Sequence, residues 1–104
     1  MFARFVSIHL KSNMLSDYTR TFENDTLPLL RQQKGFKDEI TLSNPGSLDV
    51  IAISLWESKA NADTYNTNTY PQVLRTLERM IDGAPKVQTF EAVTSTFHKL
   101  AVAA

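Results

Sequence analysis

The most constraining feature of this sequence is an apolar stretch that runs directly into a helical segment, DVIAISLWESKANADTY, Asp49 to Tyr65. Its first half predicts a strand over Leu48 to Glu57, and this strand has almost no polar face. A strand of that kind must be covered by protein on both sides. We therefore expect one cover from helices of the same chain and the other from a second copy of the chain.

Composition limits the classes of function. The 104 residues fit one domain, over 1–104. The 11 Lys and Arg residues balance 11 Asp and Glu residues, so we expect no nucleic-acid partner and no attraction to acidic membranes. There is no cysteine, which excludes disulfides and thiolate chemistry and suits a reducing cytoplasm. No apolar run approaches the ~18 residues of a spanning helix, and the Ala101 to Ala104 tail is expected to fray.

The first half of the chain predicts a strand, a helix and a second strand. Residues Phe2 to Lys11 alternate two sets that both contain apolar residues. Apolar residues at three- and four-residue spacing mark an amphipathic helix over Met14 to Gln33, with a kink near Asn24 to Pro28 because proline lacks an N–H. The second strand begins at Phe36, and simple alternation puts Phe36 on the same face as Ile40 and Leu42.

The second half predicts a hairpin, two helical segments and a last strand. The turn Asn44 to Ser47 leads into the central strand. Ser58 caps a helix to about Asn66, and a further segment begins near Pro71. The final strand runs from Lys86 to about His98. One buried stripe is predicted on the second helical segment: Tyr70, Val73, Leu74, Leu77, Met80 and Ile81.

This order is the ferredoxin-like βαββαβ pattern of the α+β class. Right-handed crossovers place the helices on one face of a four-stranded antiparallel sheet. The other face would then expose an apolar patch larger than soluble monomers usually carry. We expect two copies to pair sheet to sheet, as a homodimeric α+β barrel.

Three segments, taken in order, resemble the antibiotic biosynthesis monooxygenase family of dimeric ferredoxin-like barrels. They are LPLLRQQKGF (Leu27 to Phe36), SLWESKANADTY (Ser54 to Tyr65) and YPQVLRTL (Tyr70 to Leu77). The resemblance implies a cofactor-independent monooxygenase that acts on a small aromatic or quinol-type substrate. It does not extend to the haem-degrading branch, whose asparagine, tryptophan and haem-ligating histidine fall at Val6, Tyr65 and Arg75.

Five residues are candidates for such a site. Trp56, Tyr65 and Tyr70 would bind the substrate; alternatively Trp56 fills the core and the tyrosines are structural. Arg75 is a candidate for stabilising a substrate anion, with a surface ion pair to Glu78 or Asp82 as the alternative. His9 is a candidate general base. His9 and His98 are the only histidines, and neither has a partner at metal-ligand spacing, so no metal is expected.

Two other functions stay open. One is a non-catalytic dimer that binds a small apolar ligand or serves as an accessory protein, and the other is an isomerase or cyclase on the same scaffold. There is no Gly-rich phosphate loop and no nucleophile elbow. Asp38 and Glu39 are adjacent on a strand, so they should point to opposite faces and cannot act as a pair.

Overall fold

A computed structural model describes residues 1–100 as an antiparallel sheet with helices packed on one face; the predicted fraying tail, 101–104, lies outside the described residues. The strands are β1 (Phe2–His9), β2 (Phe36–Ser43), β3 (Asp49–Trp56) and β4 (Lys86–Glu91). The helices are α1 (Leu15–Thr21), a π-helical turn (Phe22–Thr26), α2 (Leu27–Arg31), α3 (Lys59–Asn68), α4 (Tyr70–Leu77) and a 3-10 turn (Glu78–Met80).

The four strands are ordered β2-β3-β1-β4, and every neighbouring pair is antiparallel. This arrangement confirms the ferredoxin-like α+β fold, because the two central strands are the ones that precede each helical crossover. None of the helices within residues 1–100 is long and apolar enough to cross a lipid bilayer.

The pairing register divides the sheet into two faces. Directly paired residues share a face, so the pairs Val6 with Ala52 and Ile8 with Val50 define the inner face, against the helices. The pairs Phe5 with Ile53 and Ser7 with Ile51 define the outer face. Both faces are apolar, as expected. Large side chains that are exposed on the outer face are Ile40, Leu42, Ile51 and Phe90.

The helical region between β1 and β2 is distorted where proline predicts a kink. The Leu27 N–H donates to Phe22 O, which is the wider spacing of a π-helix, and Pro28 follows as the second residue of α2. Widening the helix just before Pro28 accommodates a residue that has no N–H to donate. The predicted helix to Gln33 is thus three consecutive segments that end at Arg31.

Strand β2 contains a bulge that simple alternation does not predict. Phe36 pairs with Trp56, but Asp38 pairs with the next residue, Leu55, so Lys37 is the extra residue. Beyond the bulge the faces are exchanged. Phe36 lies on the inner face, whereas Ile40 lies on the outer face, so the expectation of one shared face is wrong.

The last strand is shorter than predicted: β4 ends at Glu91, and 92–98 is irregular. Its only strand partner among the described residues is β1, whose first residue, Phe2, pairs with Glu91. A final hydrogen bond joins the Ala92 N–H to Met1 O. Beyond that point β1 supplies no further backbone partner, so the ladder stops.

Candidate functional site

A row of polar side chains crosses the otherwise apolar inner face of the sheet. Arg4 on β1 pairs with Ser54 on β3, and Ser54 pairs with Glu39 on β2. The three residues therefore lie side by side on three neighbouring strands. Strand spacing places the backbones of Arg4 and Glu39 about 10 Å apart, so a cation and a carboxyl group flank a hydroxyl group beneath the helices.

Arg4 is a buried cation, only 3% exposed. Its Nη2 donates to Asn66 Oδ1 at 2.8 Å, and its guanidinium carbon lies 4.0 Å from the centre of the Tyr70 ring and 5.3 Å from that of Tyr65. Desolvation lowers the pKa of Arg4, and the two tyrosines oppose that shift. No carboxylate within residues 1–100 forms an ion pair with it. The charge is therefore stabilised by aromatic faces and an amide, and its attraction for an anion is not used by another residue.

Tyr18 on α1 brings a buried polar group without a hydrogen-bond partner to the same place. Its side chain is 1% exposed, and its hydroxyl group has no hydrogen-bond partner within residues 1–100. Burial raises the pKa of Tyr18 well above its usual value, and burial likewise raises the pKa of Tyr65 to about 12. Both phenols are therefore neutral at physiological pH. A buried hydroxyl group without a partner costs about 1–3 kcal/mol, which a bound ligand would recover.

Glu39 is half-buried at the other end of the row. The Thr41 hydroxyl group donates to Glu39 Oε2 at 2.7 Å. Burial raises the pKa of Glu39, and this hydrogen bond opposes the shift. Asp38 lies on the opposite face, where it contacts His98, which agrees with the expectation that adjacent carboxylates on a strand do not act together.

These side chains surround a small cavity between the sheet and the helices, with a volume of about 40 Å³. That volume holds a few water molecules but not an aromatic ring. A groove of about 240 Å³ lies next to it, and Tyr18, Phe22 and Glu39 line both spaces. Apart from six polar residues, the lining of the cavity is apolar. Its polar lining consists of Arg4, Tyr18, Glu39, Ser54, Tyr65 and Tyr70.

Trp56 packs in the core against residues that line the cavity. It is completely buried, and its indole N–H donates to Ser54 Oγ at 2.8 Å. Its ring lies 4.9 Å from the Tyr65 ring and 5.6 Å from the Phe36 ring. Trp56 therefore fills the core and fixes two cavity residues, Ser54 and Tyr65, while it lies outside the cavity lining.

Of the residues singled out from sequence, Tyr65 and Tyr70 line the cavity and the two catalytic candidates do not. Arg75 is exposed. Val73 and Leu77 take the buried side of α4, and Arg75, midway between them, lies on the opposite side of the helix. His9 is exposed on the outer face, where its Nδ1 lies 2.9 Å from Asp49 Oδ1. Neither Arg75 nor His9 therefore lines the cavity between the sheet and the helices.

Sequence reasoning missed the other four polar cavity residues, Arg4, Tyr18, Glu39 and Ser54. Arg4 had a visible signal, since it is a charged residue in the same alternating set as Val6 and Ile8, which is a set expected to be buried. Tyr18 is one of the apolar positions that mark the predicted helix over Met14 to Gln33, and its unpaired hydroxyl group has no signature in the sequence. Glu39 was hidden by the bulge at Lys37, which moves it to the inner face.

No group of three or more potential metal ligands occurs within residues 1–100. Among the described residues, the site offers a buried guanidinium group, an unpaired phenol and a carboxyl group around a mostly apolar space. Such an arrangement can bind an anionic oxygen at Arg4 and can accept a proton at Glu39.

Together, the fold and the site define an α+β protein with a small, partly polar cavity between a ferredoxin-like sheet and its helices. No protein-family model matches the sequence, and neither does any curated protein. The similarity is to solved structures. A protein of unknown function from Nitrosomonas europaea is 16% identical with a TM-score of 0.76, and the match covers 98% of this chain and 95% of that one.

Two further solved structures with this fold carry names that describe an activity. SnoaB, a cofactor-independent oxygenase from Streptomyces nogalater, is 13% identical with a TM-score of 0.74, covering 91% of this chain and 96% of that one. An antibiotic biosynthesis monooxygenase is 12% identical with a TM-score of 0.72, covering 90% of this chain and 100% of that one. This chain has the fold of the antibiotic biosynthesis monooxygenases.

Proposed function

We propose that this protein is a cofactor-independent monooxygenase of the antibiotic biosynthesis type, acting on a small aromatic or quinol-type substrate. The observation that carries the proposal is Arg4, a buried guanidinium group that lines a cavity and has no carboxylate partner within residues 1–100. The shared fold with a cofactor-independent oxygenase supports it.

In this proposal the ionised substrate is the reductant. An electron-rich aromatic anion binds with its charged oxygen at Arg4, where a preorganised cation stabilises it at little reorganisation cost. The anion then reduces dioxygen directly. For an anthrone, the methylene carbon gains one oxygen atom as a carbonyl, its two hydrogens leave with the other oxygen as water, and the substrate supplies all the electrons.

The substrate would enter through the groove between α1 and β2. The groove and the cavity are separated only by side chains that line both, Tyr18, Phe22 and Glu39. Phe22 is the first residue of the π-helical turn, an irregular helical feature that often occurs at functional sites. Rotation of Phe22 would join the two spaces into one pocket large enough for an aromatic ring.

Oxygen uptake with a panel of hydroquinones and anthrones tests the proposal. The wild type should consume oxygen with at least one member, and Arg4→Met should reduce kcat/KM by about 100-fold or more because it removes the anion site. Arg75→Met is the matched control, since Arg75 is exposed and outside the cavity. No uptake by the wild type, or equal uptake by both variants, would refute the proposal.

We also propose that the protein is a homodimer joined through the outer face of the sheet, in the cytoplasm. Support comes from four large apolar side chains on that face, which are 37–53% exposed: Ile40, Leu42, Ile51 and Phe90. At ~25 cal/mol per Å² of apolar area, covering such a face with a second copy provides several kcal/mol toward association. The cysteine-free composition suits the compartment.

The alternative of a non-catalytic dimer that binds a small ligand has one observation in its favour. The cavity holds only about 40 Å³, less than a substrate requires. Ligand binding without oxygen uptake, detected by the fluorescence of Trp56, the single tryptophan, would favour this alternative over the enzyme.

A further inference from the structure

Arg4 and Glu39 face the same cavity with opposite charges and do not form an ion pair. Ser54 lies between them on the central strand, and its Oγ is engaged by the Trp56 N–H. Because each residue is fixed on its own strand, the row holds cation and carboxyl group apart. The gap between them is lined by Tyr18, Tyr65 and Tyr70.

We propose that Glu39 is the catalytic base, which removes an acidic C–H proton from the substrate while Arg4 and Tyr18 bind the oxygen on which the negative charge develops. The substrate's bond to hydrogen breaks, its electron pair moves onto the substrate oxygen, and the proton is bound as the carboxylic acid of Glu39. The inference rests on the proposed function for its substrate class, an enolisable aromatic ketone.

The separation of the two groups selects this class of substrate. A base lies at one end of the row and a cation at the other. This arrangement fits a molecule whose acidic hydrogen is bonded to a carbon atom and whose negative charge develops on an oxygen atom elsewhere in the molecule. An anthrone is such a molecule, since its methylene hydrogen and its carbonyl oxygen lie at opposite positions of one ring. The tyrosine faces and the apolar lining of the cavity match the aromatic rings between them.

The surroundings of Glu39 suit a base. Burial raises its pKa, which increases its proton affinity relative to an exposed carboxylate. Thr41 donates to Oε2 and so fixes the carboxyl group. Glu39 also lines the outer groove, so a proton taken from the cavity has a direct route to solvent.

The ionisable groups that face Glu39 come from every neighbouring element, and Glu39 is the one carboxylate among the cavity-lining residues that the structure describes. Glu23 from the π-helical turn lines only the groove. The others are Arg4 from β1, Tyr18 from α1, Tyr65 from α3 and Tyr70 from α4. The phenols of Tyr18 and Tyr65 are neutral near physiological pH because burial raises their pKa, which leaves Glu39 to accept the proton.

Hydrogen–deuterium exchange of anthrone under nitrogen tests the assignment separately from oxygenation. In D₂O, wild-type protein should accelerate exchange of the methylene hydrogens, measured by proton NMR. Glu39→Gln should lose about 100-fold or more of that acceleration, the usual contribution of a general base. Glu39→Asp should keep part of it. Glu57→Gln is the control because Glu57 is exposed and lines neither the cavity nor the groove, and it should exchange at the wild-type rate.

Folding of each variant is checked by Trp56 fluorescence. Equal exchange by the wild type and Glu39→Gln overturns the assignment. If both of these proteins still consume oxygen, the proposed function is not affected by that result. Oxygen uptake from anthrone by the wild type without any exchange also overturns it. Exchange that depends on Glu39, with no oxygen uptake, supports the assignment and refutes the monooxygenase instead.

Discussion

The guanidinium carbon of Arg4 lies 4.0 Å from the centre of the Tyr70 ring, which places a buried cation directly on an aromatic face. Its guanidinium group also donates a hydrogen bond to Asn66, an exposed amide near the end of α3. A buried charge that relies on an aromatic ring and an amide is expensive to desolvate.

Arg4→Met should leave the free energy of unfolding unchanged or raise it by about 1 kcal/mol, because the methionine keeps the apolar stem and removes the buried charge. Urea unfolding followed by Trp56 fluorescence measures the change. Arg75→Met, at an exposed position, should stay within about 0.5 kcal/mol of the wild type. A loss of more than about 2 kcal/mol in Arg4→Met would show that the guanidinium group is structural.

Tyr18→Phe should stabilise the ligand-free protein by about 1 kcal/mol, since it removes a buried hydroxyl group that lacks a partner within residues 1–100. The same change should weaken binding of a phenolic ligand. Tyr70→Phe is the control, because Tyr70 is only half-buried and should give no such gain. Calorimetric melting and fluorescence titration provide the two measurements, and a destabilised Tyr18→Phe would contradict the prediction.

Stability should fall between about pH 10 and pH 12. Burial raises the pKa of Tyr65 to about 12 in the folded state, from 10.0. The folded state then holds a proton that the unfolded state has released, so the free energy of unfolding decreases as pH rises. For Tyr65 the decrease is about 2–3 kcal/mol across this range, and Tyr18 adds to it in the same direction. Tyr65→Phe should flatten this pH dependence in urea unfolding; an unchanged slope would argue against the burial effect.

Leu42→Asp should convert the proposed dimer into monomers, because it places a charge in the apolar outer face. Leu15→Asp is a matched control, since Leu15 on α1 is similarly exposed, at 46% against 47% for Leu42, but lies away from the outer face. Light scattering at micromolar concentration should give two chains for the wild type and Leu15→Asp. A wild type with the mass of one chain would refute the dimer.

Much of the fold could be predicted from the sequence because its signals are local. The signals are the alternation of β1, the apolar run of β3, the turn at 44–47 and the cap at Ser58. Each depends on residues that are close in the chain, and together they define the element order. Tyr65 was also found from local signals, since it follows Trp56 on the adjacent predicted helix, and Tyr70 was found because it belongs to the helical stripe that must face the core. Arg75 was misplaced because it lies beside that stripe, where a rotation by one residue separates cavity from solvent.

The sequence by itself determined the order of strands and helices and the apolar character of both sheet faces, since hydrophobic periodicity is a property of neighbouring residues. Only the tertiary structure decided which polar residues meet. Arg4, Ser54 and Glu39 are brought together by the register of three strands, and the bulge at Lys37 turns Glu39 inward. Register and bulges are fixed by hydrogen bonding between distant segments, and a residue's own neighbours carry little information about them.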